Sequence, residues 1–195
     1  IKLVEIENAI DEEKVYAVKS LAGCLRKHLK KVMFEHRPFP DNIGGNDCTY
    51  VSVVLQIFLP GVAAHIQRIG EMGYLHAGWN EEPKLPPVRT LGIRTSEHLS
   101  YGRFKQGVGS HIDEDSTYTV IFALSNPDHY GGGEFFVLDG QVLDNGDEER
   151  QHDPQPTKTM MKAKQFSAFV FLSTTDHGVQ PITYGHREMW TNEFW

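Results

Sequence analysis

The sequence predicts a mainly β chain with its helices gathered at the N-terminal end. Three observations carry that reading. From Val88 onward, short runs rich in β-branched and aromatic residues alternate with glycine-bearing turns, which favours a sandwich or barrel over a parallel α/β sheet. Before Val88, apolar residues recur at helical spacing over residues 11 to about 35 and again over 60 to about 76. Finally, His111-Ile112-Asp113 sits next to one strand-like run, and His177 follows another.

The first helix places Val15, Val18, Leu21, Ala22, Leu25, Leu29 and Val32 at helical spacing, with Lys and Arg between them. Asp11 is the expected N-cap, and Glu12 and Glu13 suit the positive end of the helix dipole. His36-Arg37-Pro38-Phe39-Pro40 ends the helix, because proline cannot donate and restricts the residue before it. Residues 42–47, with Gly44-Gly45, read as a loop. Residues 50–58 are apolar and β-branched and read as a strand. Pro60 opens a second helix, with Val62, Ile66, Ile69 and Met72 on one side. Gly70 and Gly73 weaken it. Residues 80–88 form a proline-rich connection. Strands are expected near 89–95, 98–105, 117–124, 134–138, 166–172 and 187–194. Residues 139–159 read as a long exposed excursion, a candidate loop over the site.

A chain of 195 residues suits one domain. We expect residues 1–88 to be a helical support with one strand, and residues 89–195 to be the core that carries the site. The net charge of −7 disfavours a dedicated nucleic-acid binder, which usually shows a basic stripe. Cys24 and Cys48 belong to no CxxC pair, so a zinc ribbon is not expected. They read as free thiols, with one disulfide as the alternative. No apolar stretch reaches the roughly 18 residues of a membrane span. The expectation is a soluble protein, intracellular or in an organelle lumen. The chain begins at Ile1, so a removed leader stays open. The oligomeric state is open as well.

Residues at i and i+2 of a strand share a face, so His111 and Asp113 can grip one metal together. His177 follows the apolar run Phe169-Val170-Phe171-Leu172 and can complete the set. Two histidines and one carboxylate are the ligand set of non-haem Fe(II) oxygenases, with coordination positions left open for substrates. Arg187 adds a guanidinium, which pairs a carboxylate in bidentate fashion and stays charged when buried. The remaining histidines (His28, His36, His65, His76, His98, His129, His152, His186) lack a partner at ligand spacing. Gly131 to Gly133 reads as a tight turn, since no GK[ST] follows. The acidic run at 144–153 reads as a solvated loop that could attract a basic peptide. Trp190 and Trp195 read as packing residues.

With these motifs in hand, the chain resembles the prolyl/lysyl hydroxylase-like branch of the 2-oxoglutarate- and Fe(II)-dependent dioxygenases. The resemblance covers about residues 99–195. It is carried by His-Ile-Asp at 111–113, Ser-Thr-Tyr-Thr at 116–119, Gly-Gly-Glu-Phe at 132–135 and the run from His177 to Arg187. It implies a double-stranded β-helix (jelly roll) braced by α-helices, with iron at the open end. His111, Asp113 and His177 match the family's metal ligands. Arg187 matches the residue that pairs with the far carboxylate of 2-oxoglutarate. Arginine at this place looks more like lysyl hydroxylases and oxygen-sensing prolyl hydroxylases than like the collagen prolyl 4-hydroxylases that use lysine. Tyr101 matches a co-substrate hydroxyl, an alternative alignment placing Phe104 there. Thr119 and Val179 match pocket-lining positions, and Ala123 stands where several relatives carry a tyrosine.

The implied function is an O2-dependent hydroxylase that converts 2-oxoglutarate to succinate and CO2, with ascorbate as a candidate reductant. Its substrate would be prolyl or lysyl residues of a protein or peptide, or alternatively a free amino acid or small metabolite. Asp113 argues against halogenating variants, which need a non-coordinating residue there. Two readings from other classes remain: a non-catalytic jelly-roll binding module, and a cupin-type metalloenzyme without 2-oxoglutarate, in which Arg187 has no evident role.

Overall fold

A computed structural model describes residues 2–33, 47–102, 107–139 and 157–195. The helical periodicity near the N-terminus becomes α1 (Glu12–Met33), preceded by strand β1 (Leu3–Ile6). The Asp11 carboxylate accepts the backbone N–H of Lys14 at 2.9 Å, as an N-cap should. Val15, Val18 and Ala22 form the buried stripe of α1.

The expected strand over residues 50–58 needs correction. Strand β2 ends at Tyr50 (Asp47–Tyr50), and Ser52–Phe58 is a helix, α2. Short apolar runs do not distinguish the two, because both bury one face. The neighbour decides here. Val51 donates its N–H to Ser96 O, and the Ser52 hydroxyl takes up the N–H of Ser96, each at 2.8 Å, so the ladder closes at that point. Val51 and Leu55, four residues apart, are then fully buried, while Val53, Ile57 and Phe58 face outward.

Helix α3 (Pro60–His76) lies where expected, but its buried face is shifted. Ala63, Ile66, Ile69, Gly70, Gly73 and Tyr74 are buried, while Met72 is half exposed. The glycines that lower helix propensity are the ones that admit the sheet. A Cβ at residue 73 would lie 2.5 Å from Val170 Cγ2, and one at residue 70 would meet Tyr118 and Phe194.

The strands that follow are β3 (Ile93–Tyr101), β4 (Val108–His111), β5 (Tyr118–Ala123), β6 (Tyr130–Gly132) and β7 (Phe135–Asp139). Then come β8 (Thr157–Met161), β9 (Ala168–Leu172), β10 (His177–Val179), β11 (Ile182–Gly185) and β12 (Arg187–Phe194). One sheet runs β1-β9-β5-β12-β3-β2 and a second runs β4-β10-β7-β8, with β11 and β6 paired separately. Every pairing is antiparallel. This is a mainly β jelly roll braced by α-helices.

The two strands expected at 89–95 and 98–105 are one continuous strand, β3, and Val88–Thr90 is a 3-10 turn before it. Six strands were not anticipated: β1, β4, β6, β8, β10 and β11. Each has three to five residues, too few for alternation to register. β8 occupies the end of the stretch read as a long excursion. The rest of that stretch, the loop at 42–46, the acidic run at 144–153, Phe104, His36 and His152 lie outside the described residues. The segment before Val88 supplies two strands, β1 and β2, to opposite edges of the larger sheet.

Two cores follow from the alternation. The outer face of the larger sheet packs on the helices through Val120, Phe122, Val170, Trp190 and Phe194. The inner face meets the smaller sheet through Tyr101, Ile121, Phe135, Phe169, Phe171 and Met189. Trp190 is buried and donates its indole N–H to Ser96 Oγ at 2.7 Å. Trp195 is exposed, contrary to its reading as a packing residue, and Arg94 stacks on its ring. Cys24 and Cys48 are free thiols. Among the described residues no single helix is long and apolar enough to cross a membrane.

Candidate metal centre

The pairing of β4 with β10 sets His111 and His177 directly opposite each other. Their ring centroids are 4.4 Å apart. Asp113 lies just past the end of β4, held by its N–H to Ser173 O at 2.9 Å. Its Oδ1 stands 3.7 Å from Nε2 of His111 and 3.7 Å from Nε2 of His177. One ligand atom from each residue lies within 4.8 Å of the others, a spacing that a single ion can bridge.

The orientation of each ligand is set by its other polar atom. His111 Nδ1 is 2.9 Å from Gly109 O, and His177 Nδ1 is 2.9 Å from Thr175 O. A carbonyl can only accept, so Nδ1 carries the proton and each Nε2 turns its lone pair inward. Thr119 donates its hydroxyl to Asp113 Oδ2 at 2.5 Å, which leaves Oδ1 for the metal. Phe135 and Phe171 pack against the His177 ring. That burial holds His177 below the usual histidine range, with Asp113 opposing it, and so favours the neutral imidazole a metal requires. The donor set fits iron: two imidazoles and one carboxylate, pinned from behind and open in front.

Arg187 begins β12, opposite Tyr101 in register, with its guanidinium carbon 5.4 Å from the centre of the Tyr101 ring. The side chain is 3% exposed. Among the described residues no carboxylate comes within ion-pair distance of it. Gly133, with φ of +70°, makes room, since a Cβ there would lie 3.1 Å from Arg187 Cδ. A buried cation without a counter-ion is costly, so an anion brought to Arg187 would be favoured there.

Tyr101 and Val179 line a cavity of about 180 Å³ together with His111, Asp113 and His177. Thr119 is fully buried, lies outside this lining and reaches Asp113 and Ser173, so it contacts a candidate ligand from behind. A larger concavity of about 550 Å³, lined in part by Lys2, Trp79, Leu85 and Thr175, contains none of the three ligands. His65 bonds Ala9 O, and His98 is buried between Arg26 and Glu188. His28, His76, His129 and His186 are exposed.

Glu97 and Thr191 also line the ligand cavity, and the sequence reading missed both. A signal was present. Stepping in twos from Tyr101 gives Leu99 and Glu97, and from Arg187 it gives Met189 and Thr191. Burial and the neighbouring Glu193 push the Glu97 carboxyl up to about 7.

No family model matches the sequence, and no curated protein does. Solved structures do match the fold. A 2OG-Fe(II) oxygenase family oxidoreductase from Burkholderia pseudomallei superposes with a TM-score of 0.59 at 12% identity, over 98% of this chain and 83% of that one. The fold is that of the 2OG-Fe(II) oxygenases. A prolyl hydroxylase from Trichoplax adhaerens, in complex with a hypoxia inducible factor peptide fragment, matches at 0.59 and 13% identity, over 99% and 83%. The non-heme alpha ketoglutarate dependent epimerase SnoN from nogalamycin biosynthesis matches at 0.64 and 14% identity, over 98% and 77%. These neighbours span a peptide-binding enzyme and one from small-molecule biosynthesis.

Proposed function

We propose that this chain is an Fe(II)- and 2-oxoglutarate-dependent oxygenase that hydroxylates its substrate. The observation that carries the reading is the joint geometry of the site. Two imidazole Nε2 atoms and one carboxylate oxygen converge with their other polar atoms already engaged, on a framework that also buries an arginine with no carboxylate partner among the described residues. His111, Asp113 and His177 would hold the metal, and Arg187 would take the far carboxylate of 2-oxoglutarate. When bound, iron, 2-oxoglutarate and O2 supply the oxidation, with succinate and CO2 as co-products and ascorbate as a candidate reductant.

The protein's own part is positioning. The two backbone carbonyls keep both histidines in the ligating tautomer. Thr119 fixes which oxygen Asp113 presents. Arg187, which stands beside Tyr101 but outside the lining of the ligand cavity, would give a dicarboxylate one orientation by pairing with its far carboxylate. The apolar lining from Val179, Met189 and Phe135 excludes water. Residues 89–195 would carry the metal and co-substrate residues, while residues 1–88 would brace the site and add Cys48 and Tyr50 to its cavity, as one catalytic unit. The substrate classes supported by the resemblance and the neighbours are prolyl or lysyl residues of a peptide, with a free amino acid or small metabolite as the second reading.

Anaerobic titration with Fe(II) and then 2-oxoglutarate tests the proposal. A visible charge-transfer band is expected. It should vanish in His111→Ala and need more co-substrate in Arg187→Ala. Metal binding without any band would sink the oxygenase reading.

A further inference from the structure

β3 and β12 lie side by side, and their inward residues form one polar row beyond the arginine. Glu97 stands directly opposite Thr191 on β12 and opposite Tyr50 on β2. All three line the cavity that holds His111, Asp113 and His177. The other carboxylate of the row, Glu193, is already engaged, by Arg94 Nη1 at 2.8 Å and by the Ser116 hydroxyl at 2.6 Å. Glu97 is not matched in this way. Its hydrogen bond comes from the Cys48 thiol at 3.6 Å, a weak donor. Among the described residues no Lys, Arg or His stands within ion-pair distance of it.

Thr191 supplies an independent observation. The residue is 8% exposed and lines the cavity, and its hydroxyl makes no hydrogen bond with any described residue. Among the described residues, then, the half-buried Glu97 carboxylate has no cation within ion-pair distance, Arg94 acting on it only from further off, and the Thr191 hydroxyl is left open to the cavity. Side by side and facing one cavity, they can be satisfied together by a ligand that brings N–H donors and a positive charge. An ammonium has three donors and no acceptor, which suits two adjacent acceptors. A peptidyl proline has neither charge nor N–H to offer.

We propose that Glu97 and Thr191 recognise an alkylammonium group on the primary substrate, Glu97 by an ion pair and Thr191 by accepting a hydrogen bond. The inference rests on the oxygenase reading for calling this ligand the substrate. It narrows the substrate to an amine-bearing side chain or molecule. Glu97 is the specificity-determining residue. The amine is held at the Glu97–Thr191 end of the cavity, and the alkyl chain runs back past Leu99 and Ile121, which line it.

The test is calorimetric titration of the protein loaded with Mn(II) and 2-oxoglutarate, repeated on the metal-free protein. The probes are Nα-acetyl-lysine methylamide, free lysine, the neutral isostere Nα-acetyl-norleucine methylamide and Nα-acetyl-proline methylamide. The lysine amide should bind at least about tenfold tighter than the norleucine amide, as a charge-assisted hydrogen bond to a sheltered carboxylate requires. Glu97→Gln should abolish that preference, and Thr191→Val should reduce it severalfold. Both variants are near-isosteric, and unfolding curves report whether each is folded. Tighter binding of free lysine would assign a free amine as the source, and tighter binding of the amide would assign a peptide. Equal binding of the lysine and norleucine amides, a preference kept by Glu97→Gln, tighter binding of the proline amide, or no binding of any probe would overturn the inference. A charge-transfer band without an amine preference would sink this inference alone. An amine preference dependent on Glu97 without a band would sink the oxygenase reading alone.

Discussion

Strand β12 presents two faces of opposite character. Toward the helices it shows Glu188, Trp190, Asn192 and Phe194, and their polar groups are used within the protein. Trp190 Nε1 donates to Ser96 Oγ, which donates to Asn192 Oδ1, and Glu188 pairs with Lys19 of α1 and faces His98. Toward the smaller sheet it shows Arg187, Met189, Thr191 and Glu193. There the guanidinium of Arg187 has no carboxylate, and the Thr191 hydroxyl has no hydrogen bond, among the described residues. One strand therefore does two jobs. The outer face joins helices to sheet; on the inner face Glu193 is held by Arg94 and Ser116, and Arg187 and Thr191 are left for a ligand. Stability and ligand binding should separate cleanly by residue parity along β12.

The largest effect is expected on the outer face. Trp190→Ala should cost about 3–5 kcal/mol of stability, as for other buried aromatic truncations, read by denaturant unfolding. The folded fraction should still bind 2-oxoglutarate. A loss below about 1 kcal/mol would show that the helix-side core does not depend on this residue.

On the inner face, Arg187→Met should behave in the opposite way. Co-substrate binding should weaken by roughly 2–5 kcal/mol, the range for truncating one partner of a buried charge pair. The unfolding midpoint of the ligand-free protein should not fall, since a buried unpaired charge has been removed. A lowered midpoint with normal 2-oxoglutarate affinity would assign Arg187 to stability and break the contrast.

Thr119→Val sharpens the comparison one strand over. It leaves the three ligands in place and removes the hydroxyl behind Asp113 Oδ2. Metal affinity should drop by about 10–100-fold, in line with other groups that orient ligands from behind. Unchanged affinity in a metal titration would mean that Asp113 is oriented by its backbone contact to Ser173 alone.

The smallest effect is a pair of opposed pH dependences in the metal-free protein. Burial works to raise the Glu188 carboxyl, but the contacts with His98 and Lys19 outweigh it and hold the group at about 2. The folded state then binds fewer protons than the unfolded one. This contribution is fully present above the ordinary 4.5 and is lost as the pH falls toward about 2. Glu97 is raised to about 7 by burial and Glu193, so the folded state binds more protons there. Its contribution is greatest below 4.5 and is lost as the pH rises toward about 7. Thermal unfolding across pH should show Glu188→Gln flattening the acid limb and Glu97→Gln flattening the rise-to-neutral limb. Exchanged or unaltered limbs would refute the assignment.

Long patterns were readable in the sequence, and short ones were not. α1 and α3 announced themselves over four or more turns, and β5, β7 and β9 through dense apolar runs. The strands of three to five residues, β10 and β4 among them, exist because a neighbour pairs with them, and no local pattern marks them. Residues 50–58 were misread for the same reason: what ends β2 is the Ser52 hydroxyl on Ser96, a contact between residues distant in sequence. Gly70 and Gly73 counted against α3 by propensity, yet they are what lets it lie against Val170 and Tyr118. In the site, His111, Asp113 and His177 were found as a group because metal ligation restricts residue type and spacing so strongly. Thr119 was read as a pocket-lining position; its hydroxyl reaches Asp113, and it is not among the residues that line the cavity.

By itself the sequence determined the β-rich architecture with its helical brace, and it marked out the two histidines, the aspartate and the arginine. Those features depend on residue identity and on periods of 2 and 3.6, which are local properties of a chain. Only the tertiary structure decided which polar groups are left unsatisfied and which of them share a cavity. Glu97 and Thr191 become neighbours through antiparallel pairing of strands far apart in the chain. Whether a charge or a hydroxyl there is answered depends on every element packed around it, and no local pattern carries that information.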